Sequence, residues 1–101
     1  MDNRPMQFMA LTRRKTEQFS DDKFAPLLDL EANRVQELYA EGFARQVWSR
    51  GDIPGACWII EADNEDEAQE QLHTLPLHAA GMLELVALVP LKPYRAFCPK
   101  K

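Results

Sequence analysis

Residues 43–62 read FARQVWSRGDIPGACWIIEA, and the fold is decided here. The two ends, 43–50 and 56–62, are short runs rich in aromatic and β-branched side chains, as strands are. Between them GDIPG holds two glycines, an aspartate and a proline, the composition of a hairpin-type loop. Outward on the N-terminal side the period changes. Phe24, Leu27, Leu28, Val35, Leu38, Tyr39 and Gly42 recur at steps of three and four, which predicts a helix over about 24–41. Asp21 and Asp22 suit its start, Pro26 is tolerated in its first turn, and Gly42 closes it. On the C-terminal side, 64–75 (NEDEAQEQLHTL) predicts a second helix. Asn64 caps it, acids occupy the positive end of its dipole, and Ala68, Leu72 and Leu75 share one stripe. Pro76 stops this helix and LHAAG turns. Outermost lie two more strand-like runs, 6–13 and 82–91, and then a Pro-rich tail, 92–101, expected to be extended.

The order is therefore βαββαβ. With right-handed crossovers it gives an α+β, ferredoxin-like domain spanning 1–101, a four-stranded antiparallel sheet with two helices on one face. Strict alternation makes both sheet faces apolar. Leu83, Leu85, Ala87 and Val89 point one way and Val86 and Leu88 the other, while Trp58 and Ile60 oppose Cys57 and Ile59. Two helices cover one face only, and an apolar patch of that size is unusual on a soluble monomer. A second copy packed sheet to sheet is the expected cover, as a homodimer or a higher homo-oligomer, with the tail over 93–98 reaching across the partner.

Composition narrows the classes of function. The chain has 101 residues, 46% of them hydrophobic and 28% charged, with a net charge of -4. Apart from Arg13-Arg14-Lys15 and Lys100-Lys101 the basic residues are scattered. No basic stripe tracks a phosphate backbone, so nucleic acid is not an expected partner. The longest apolar run, 85–91, falls far short of the ~20 residues of a membrane span. The start, MDNRPMQF, has no secretory pattern, and a cytoplasmic location is expected. Cys57 and Cys98 have no second Cys or His at metal spacing, so they read as reduced structural thiols. With no Ser-His-Asp order, Gly-rich phosphate loop or metal cluster, the chemistry is expected to need neither metal nor other cofactor.

Glu31 is the most informative candidate. On a helical wheel it falls between Leu28 and Val35, in the middle of the stripe that faces the sheet. A carboxylate there must be paired, face a wet pocket, or carry a raised pKa, the property of a general base working near neutral pH. The plain alternative is a Glu at the stripe's edge, paired with a basic residue of the sheet. His78, at the mouth of the sheet after the second helix, is the second catalytic candidate, as a proton shuttle, with a surface loop His as its alternative. Arg45, Trp48 and Arg50 in the second strand and Glu84 in the fourth are candidates for binding a small organic substrate. Arg45 could hold a carboxylate, and Trp48 could wall a ring or offer its N–H. Alternation puts Arg45 and Trp48 on opposite faces unless a bulge intervenes.

These residues carry a resemblance. From Glu31 to about Leu85, roughly half of the chain, the sequence resembles the muconolactone isomerases, small members of the dimeric α+β barrel superfamily. The shared points are Glu31, Gly42, Trp48, Leu72, Leu75-Pro76-Leu77 and Glu84. It departs at Ser49, where the family has Arg after the Trp, and at His78-Ala79-Ala80, where the family has Phe-Pro-Tyr; the family's terminal His-Pro is not found. The resemblance implies the same fold, sheet-to-sheet pairing and a Glu31 acid/base site that shifts a double bond in a small unsaturated lactone, within aromatic compound catabolism. Two other functions fit such a fold: another cofactor-free enzyme on a small cyclic or aromatic compound, such as a monooxygenase, and a non-catalytic module for small-molecule binding or assembly.

Overall fold

The computed structural model of the chain describes residues 5–97. Its elements run β1 (Met6–Arg14), α1 (Asp21–Phe24), α2 (Leu28–Ala40), β2 (Ala44–Ser49), β3 (Gly55–Ala62), α3 (Glu65–Leu72), α4 (Pro76–Ala79) and β4 (Leu83–Leu91). The strands form one sheet in the order β2-β3-β1-β4, with every neighbouring pair antiparallel. This is an α+β fold with two principal helices, compatible with the ferredoxin-like arrangement. No helix among the described residues is long and apolar enough to cross a membrane.

One sheet face carries the core. Phe8 and Ala10 of β1 and Trp58, Ile60 and Ala62 of β3 are buried against Leu38 of α2, Ala68 and Leu72 of α3, and Leu75 and Leu77 around α4. The Ala68, Leu72, Leu75 stripe is buried as its spacing predicts. Asn64 caps α3, its side chain accepting from Glu67 N at 2.8 Å, which satisfies an otherwise orphan donor.

Local chemistry departs from simple periodicity in four places. First, the helix expected over 24–41 is divided: a 3-10 turn, Ala25–Leu27, separates α1 from α2. Pro26 lacks an N–H and its ring crowds the preceding turn, so the ladder tightens there and the phase slips. Phe24 and Leu38 remain buried, whereas Leu28 and Tyr39, expected on the same stripe, are exposed. Second, α3 ends at Leu72, and the stretch read as a turn after Pro76 winds into α4 with Pro76 in its first turn. Third, β4 bulges against β1: Thr12 faces Leu85 but Leu11 faces Ala87, leaving Val86 as the extra residue. A one-residue insertion inverts the parity beyond it. Leu83, Leu85 and Leu88 therefore face the helices, and Glu84, Ala87 and Val89 face away, which corrects the alternation expected for this strand. Fourth, a register shift between Ala44 and Gln46 makes Arg45 the extra residue of β2. Trp48 then pairs with Cys57, and Val47 with Trp58.

Among the described residues the second sheet face bears no helix. Met9, Leu11, Cys57, Ile59, Ala87 and Val89 form its apolar centre, with Trp48 on the β2 edge. Beyond β4 a 3-10 turn, Arg95–Phe97, interrupts the tail that was expected to be extended, and Tyr94 and Phe97 are exposed. Cys98 and Lys100-Lys101 lie outside the described residues.

Candidate functional site

A cleft of about 120 Å³ opens between α2 and the helix-bearing sheet face. All four strands line it: Thr12 and Arg14 from β1, Val47 and Ser49 from β2, Gly55, Ala56 and Trp58 from β3, and Leu83 from β4. Glu31 and Val35 of α2 and Leu77 of α4 close it from the other side. The space is smaller than the roughly 300 Å³ at which drug-sized pockets begin, and suits an occupant on the scale of one small ring.

Glu31 is the acid of this cleft, half-buried on α2 as its wheel position predicts. Its Oε1 accepts a hydrogen bond from the Leu77 backbone N at 2.9 Å. The origin of that donor is local. Pro76 at the first position of α4 has no N–H, so the N–H of Leu77 is a first-turn donor without a helical acceptor, while Leu75 and Leu77 are anchored by full burial of their side chains. The Leu-Pro-Leu segment thus aims one backbone N–H at one carboxylate oxygen and leaves Oε2 without a partner among the described residues. Burial raises the Glu31 pKa above the ordinary carboxylate value; the Leu77 N–H and the nearby Arg14 guanidinium draw it back part of the way.

Among the described residues Arg14 is the only cation lining the cleft. Its guanidinium lies 5.6 Å from the centroid of the Phe24 ring, a favourable placement over an aromatic face, and it has no ion-pair partner among the described residues. Its place follows from β1 running one residue further than expected, which puts Arg14 on the side of Phe8, Ala10 and Thr12. Thr12 is buried and holds β1 to β3 through a reciprocal pair, accepting from Ala56 N at 3.2 Å and donating to Ala56 O at 3.3 Å.

The other candidates read from sequence lie elsewhere. Trp48 is on the opposite sheet face, 64% exposed, its Nε1 donating to Gln46 Oε1 at 3.1 Å. Arg45 is on that same face, 3.6 Å from Glu61; the β2 bulge brings the two side chains to one face, but not to the cleft. Arg50 is committed to its own loop, pairing with Asp52 at 2.7 Å and donating to Thr12 O at 3.3 Å. Glu84 pairs with Arg13, which also bonds Glu17 at 2.9 Å. His78 follows Leu77 directly yet does not line the cleft. Its ring meets that of His73 edge-on at 4.2 Å, and its Nε2 is buried without a partner among the described residues. Burial lowers the His78 pKa, and the positive charge of Lys15 and the neighbouring His73 act in the same direction.

Two cleft residues escaped the sequence reading, Arg14 and Trp58. The β1 alternation, carried one residue further, would have indicated Arg14. Trp58 was legible as an inward-facing strand residue, but nothing in the sequence set its indole apart from the rest of the core.

Among the described residues no three His, Cys, Asp or Glu side chains converge as a metal site. No protein-family profile matches the chain, and no curated protein matches it significantly.

Proposed function

We propose that this chain is a muconolactone isomerase-like enzyme that shifts a double bond in a small unsaturated lactone by proton transfer, without a cofactor. The observation that carries the reading is the Glu31 carboxyl. It lies in a small cleft, one oxygen is fixed by a backbone N–H, the other has no partner among the described residues, and burial raises its pKa. A base placed this way is matched to abstracting a proton next to a carbonyl near neutral pH. Oε2 takes that proton, the C–H pair becomes the enolate C=C, and the negative charge passes to the carbonyl oxygen. The same carboxyl returns the proton at the far end of the conjugated system and is regenerated as carboxylate. Arg14 supplies the positive charge in the cleft, stabilising the enolate or holding an acidic substituent.

The working form is proposed to be a homodimer paired through the open sheet faces. The apolar centre of that face is flanked at one end by Gln7, Glu61 and Arg45 and at the other by Arg13, Glu17 and Glu84. An apolar core inside a polar rim is the anatomy of a specific interface.

The test is a carbon-detected NMR titration of the side-chain carboxyls, with Glu31→Gln assigning the Glu31 signal, beside an assay for isomerisation of a β,γ-unsaturated five-membered lactone. A Glu31 midpoint above about 4.3 and at least a ~100-fold loss of isomerisation in Glu31→Gln are expected. An unshifted midpoint or a fully active variant would remove Glu31 from the chemistry.

A further inference from the structure

The two histidines of the chain meet at one point of the fold. His73 is the exposed residue that closes α3, and His78 lies in the single turn of α4; their rings meet edge-on with centroids 4.2 Å apart. Nε2 of His78 is buried with no partner among the described residues. A neutral ring can leave that nitrogen bare at modest cost. A charged ring carries a proton on both nitrogens, so an N–H and a positive charge would sit unpaired in the interior. The groups facing the ring add to the cost: His73, and Lys15 on the connection after β1, both disfavour a second positive charge there. A hydrogen bond within the His78 backbone favours the charge, and burial outweighs it. Arg34 of α2 reaches the α3–α4 connection at Thr74 Oγ1, 2.9 Å away, with its own charge answered by Glu37 at 3.0 Å. The acid that touches α4 is Glu31, through the Leu77 N–H.

A helix of four residues, as α4 is, does not hold itself together. It depends on the burial of Leu77, on the packing of His78, and on turn hydrogen bonds such as Ala79 N to Leu75 O and Met82 N to Leu77 O, both 2.9 Å. We infer that the His73–His78 contact is a proton-sensitive clasp on α4: when His78 takes up a proton its ring leaves the interior, the turn loosens, and the Leu77 N–H releases Glu31. The clasp does not depend on the reaction proposed for the cleft. It has a sign of its own. By Coulomb's law alone a charged His78 favours an ionised Glu31, so each proton keeps the other away. The clasp reverses this, because Glu31 loses the donor that draws its pKa down. Protonation of His78 then raises the Glu31 pKa, and by reciprocity a protonated Glu31 eases proton uptake at His78. The two protons bind together, and on acidification the cleft loses its base and its geometry in one step.

The experiment is an NMR titration of the whole chain, labelled with ¹³C and ¹⁵N, from about pH 7.5 to about pH 4.5. His73→Gln assigns the two imidazole signals and Glu31→Gln the carboxyl. The His78 ring is expected to titrate below its ordinary value of about 6.5. Protection of the Leu77 amide from exchange is expected to fall at that same midpoint, by about tenfold for each pKa unit that separates the open and closed states of the ring. His78→Phe keeps a ring in place and cannot take up a proton. It is expected to retain Leu77 protection through this range and to lower the Glu31 midpoint. A Glu31 midpoint raised or unchanged in His78→Phe is the Coulomb result, and it overturns the clasp. Should His78→Phe fold poorly, the wild type decides: Leu77 protection that is constant, or that follows the Glu31 carboxyl while His78 titrates apart from it, overturns the clasp as well. Neither outcome alters the place of Glu31 in the cleft.

Discussion

A carboxylate on the inner stripe of α2 costs the fold, and the cost has a definite dependence on pH. Because burial raises the Glu31 pKa, the folded chain keeps a proton that the unfolded chain releases near its ordinary value of about 4.3. Between those two pKa values the native state binds more protons, so stability falls as pH rises, and above the folded pKa the penalty is complete. Glu31→Gln keeps an oxygen for the Leu77 N–H and removes the charge. It is therefore expected to melt higher than wild type at pH 7, with the difference vanishing below pH ~4, as read by thermal unfolding across pH. A variant less stable than wild type at neutral pH would show that the ionised carboxylate is a net stabiliser. The position of Glu31 was legible because a wheel fixes which side of a helix a residue takes. That of Trp48 was not, since one bulged residue changes the face to which a side chain belongs. Arg14 and Trp58, which line the cleft in place of Arg45 and Trp48, owe their roles to β1 and β3 as they pair in the sheet.

Among the elements, the join between β1 and β3 carries the cleft. Gly55 begins β3 with φ +157° and lies so close to β1 that a Cβ would fall 2.2 Å from Thr12 O and 2.9 Å from Arg13 Cα. Both are backbone atoms that cannot swing aside. Gly55→Ala is expected to cost about 3 kcal/mol or more, seen as a lowered urea midpoint and faster amide exchange at Ala56, whose bonds to Thr12 would be lost. A neutral Gly55→Ala would mean that the pairing of Thr12 with Ala56 is looser than this register describes. Elements themselves were read well: the strands and the two principal helices fall within a few residues of their expected bounds. What periodicity did not supply were interruptions, the 3-10 turn at Pro26 and the bulges at Arg45 and Val86. These arise where a strand or helix adjusts to a neighbour, and a neighbour is not visible along one segment.

At the scale of the whole molecule the unanswered demand is the open sheet face. Its centre, Met9, Leu11, Ile59, Ala87 and Val89, is continuous across three strands, and removing it from water is worth about 25 cal/mol per Å² of apolar area. Light scattering at micromolar concentration is expected to give at least twice the chain mass of 11.6 kDa. Ile59→Arg, which places a charge in the middle of the face, is expected to give a folded monomer. A wild-type monomer would refute the sheet-to-sheet pairing while leaving the cleft on the other face intact, since the two sites share the sheet but not a surface.

By itself the sequence determined the order of elements, the two apolar sheet faces and the inward place of Glu31, because each depends on a period that is written along one segment. The tertiary structure decided the rest: that Leu77 N–H meets Glu31, that Arg14 and Trp58 line the cleft, and that Arg45 and Trp48 look the other way. Those facts depend on the register between strands and on the approach of α4 to α2, separated by 46 residues between Glu31 and Leu77. A contact of that range is fixed by how whole elements pack, and it leaves no periodic mark on either segment.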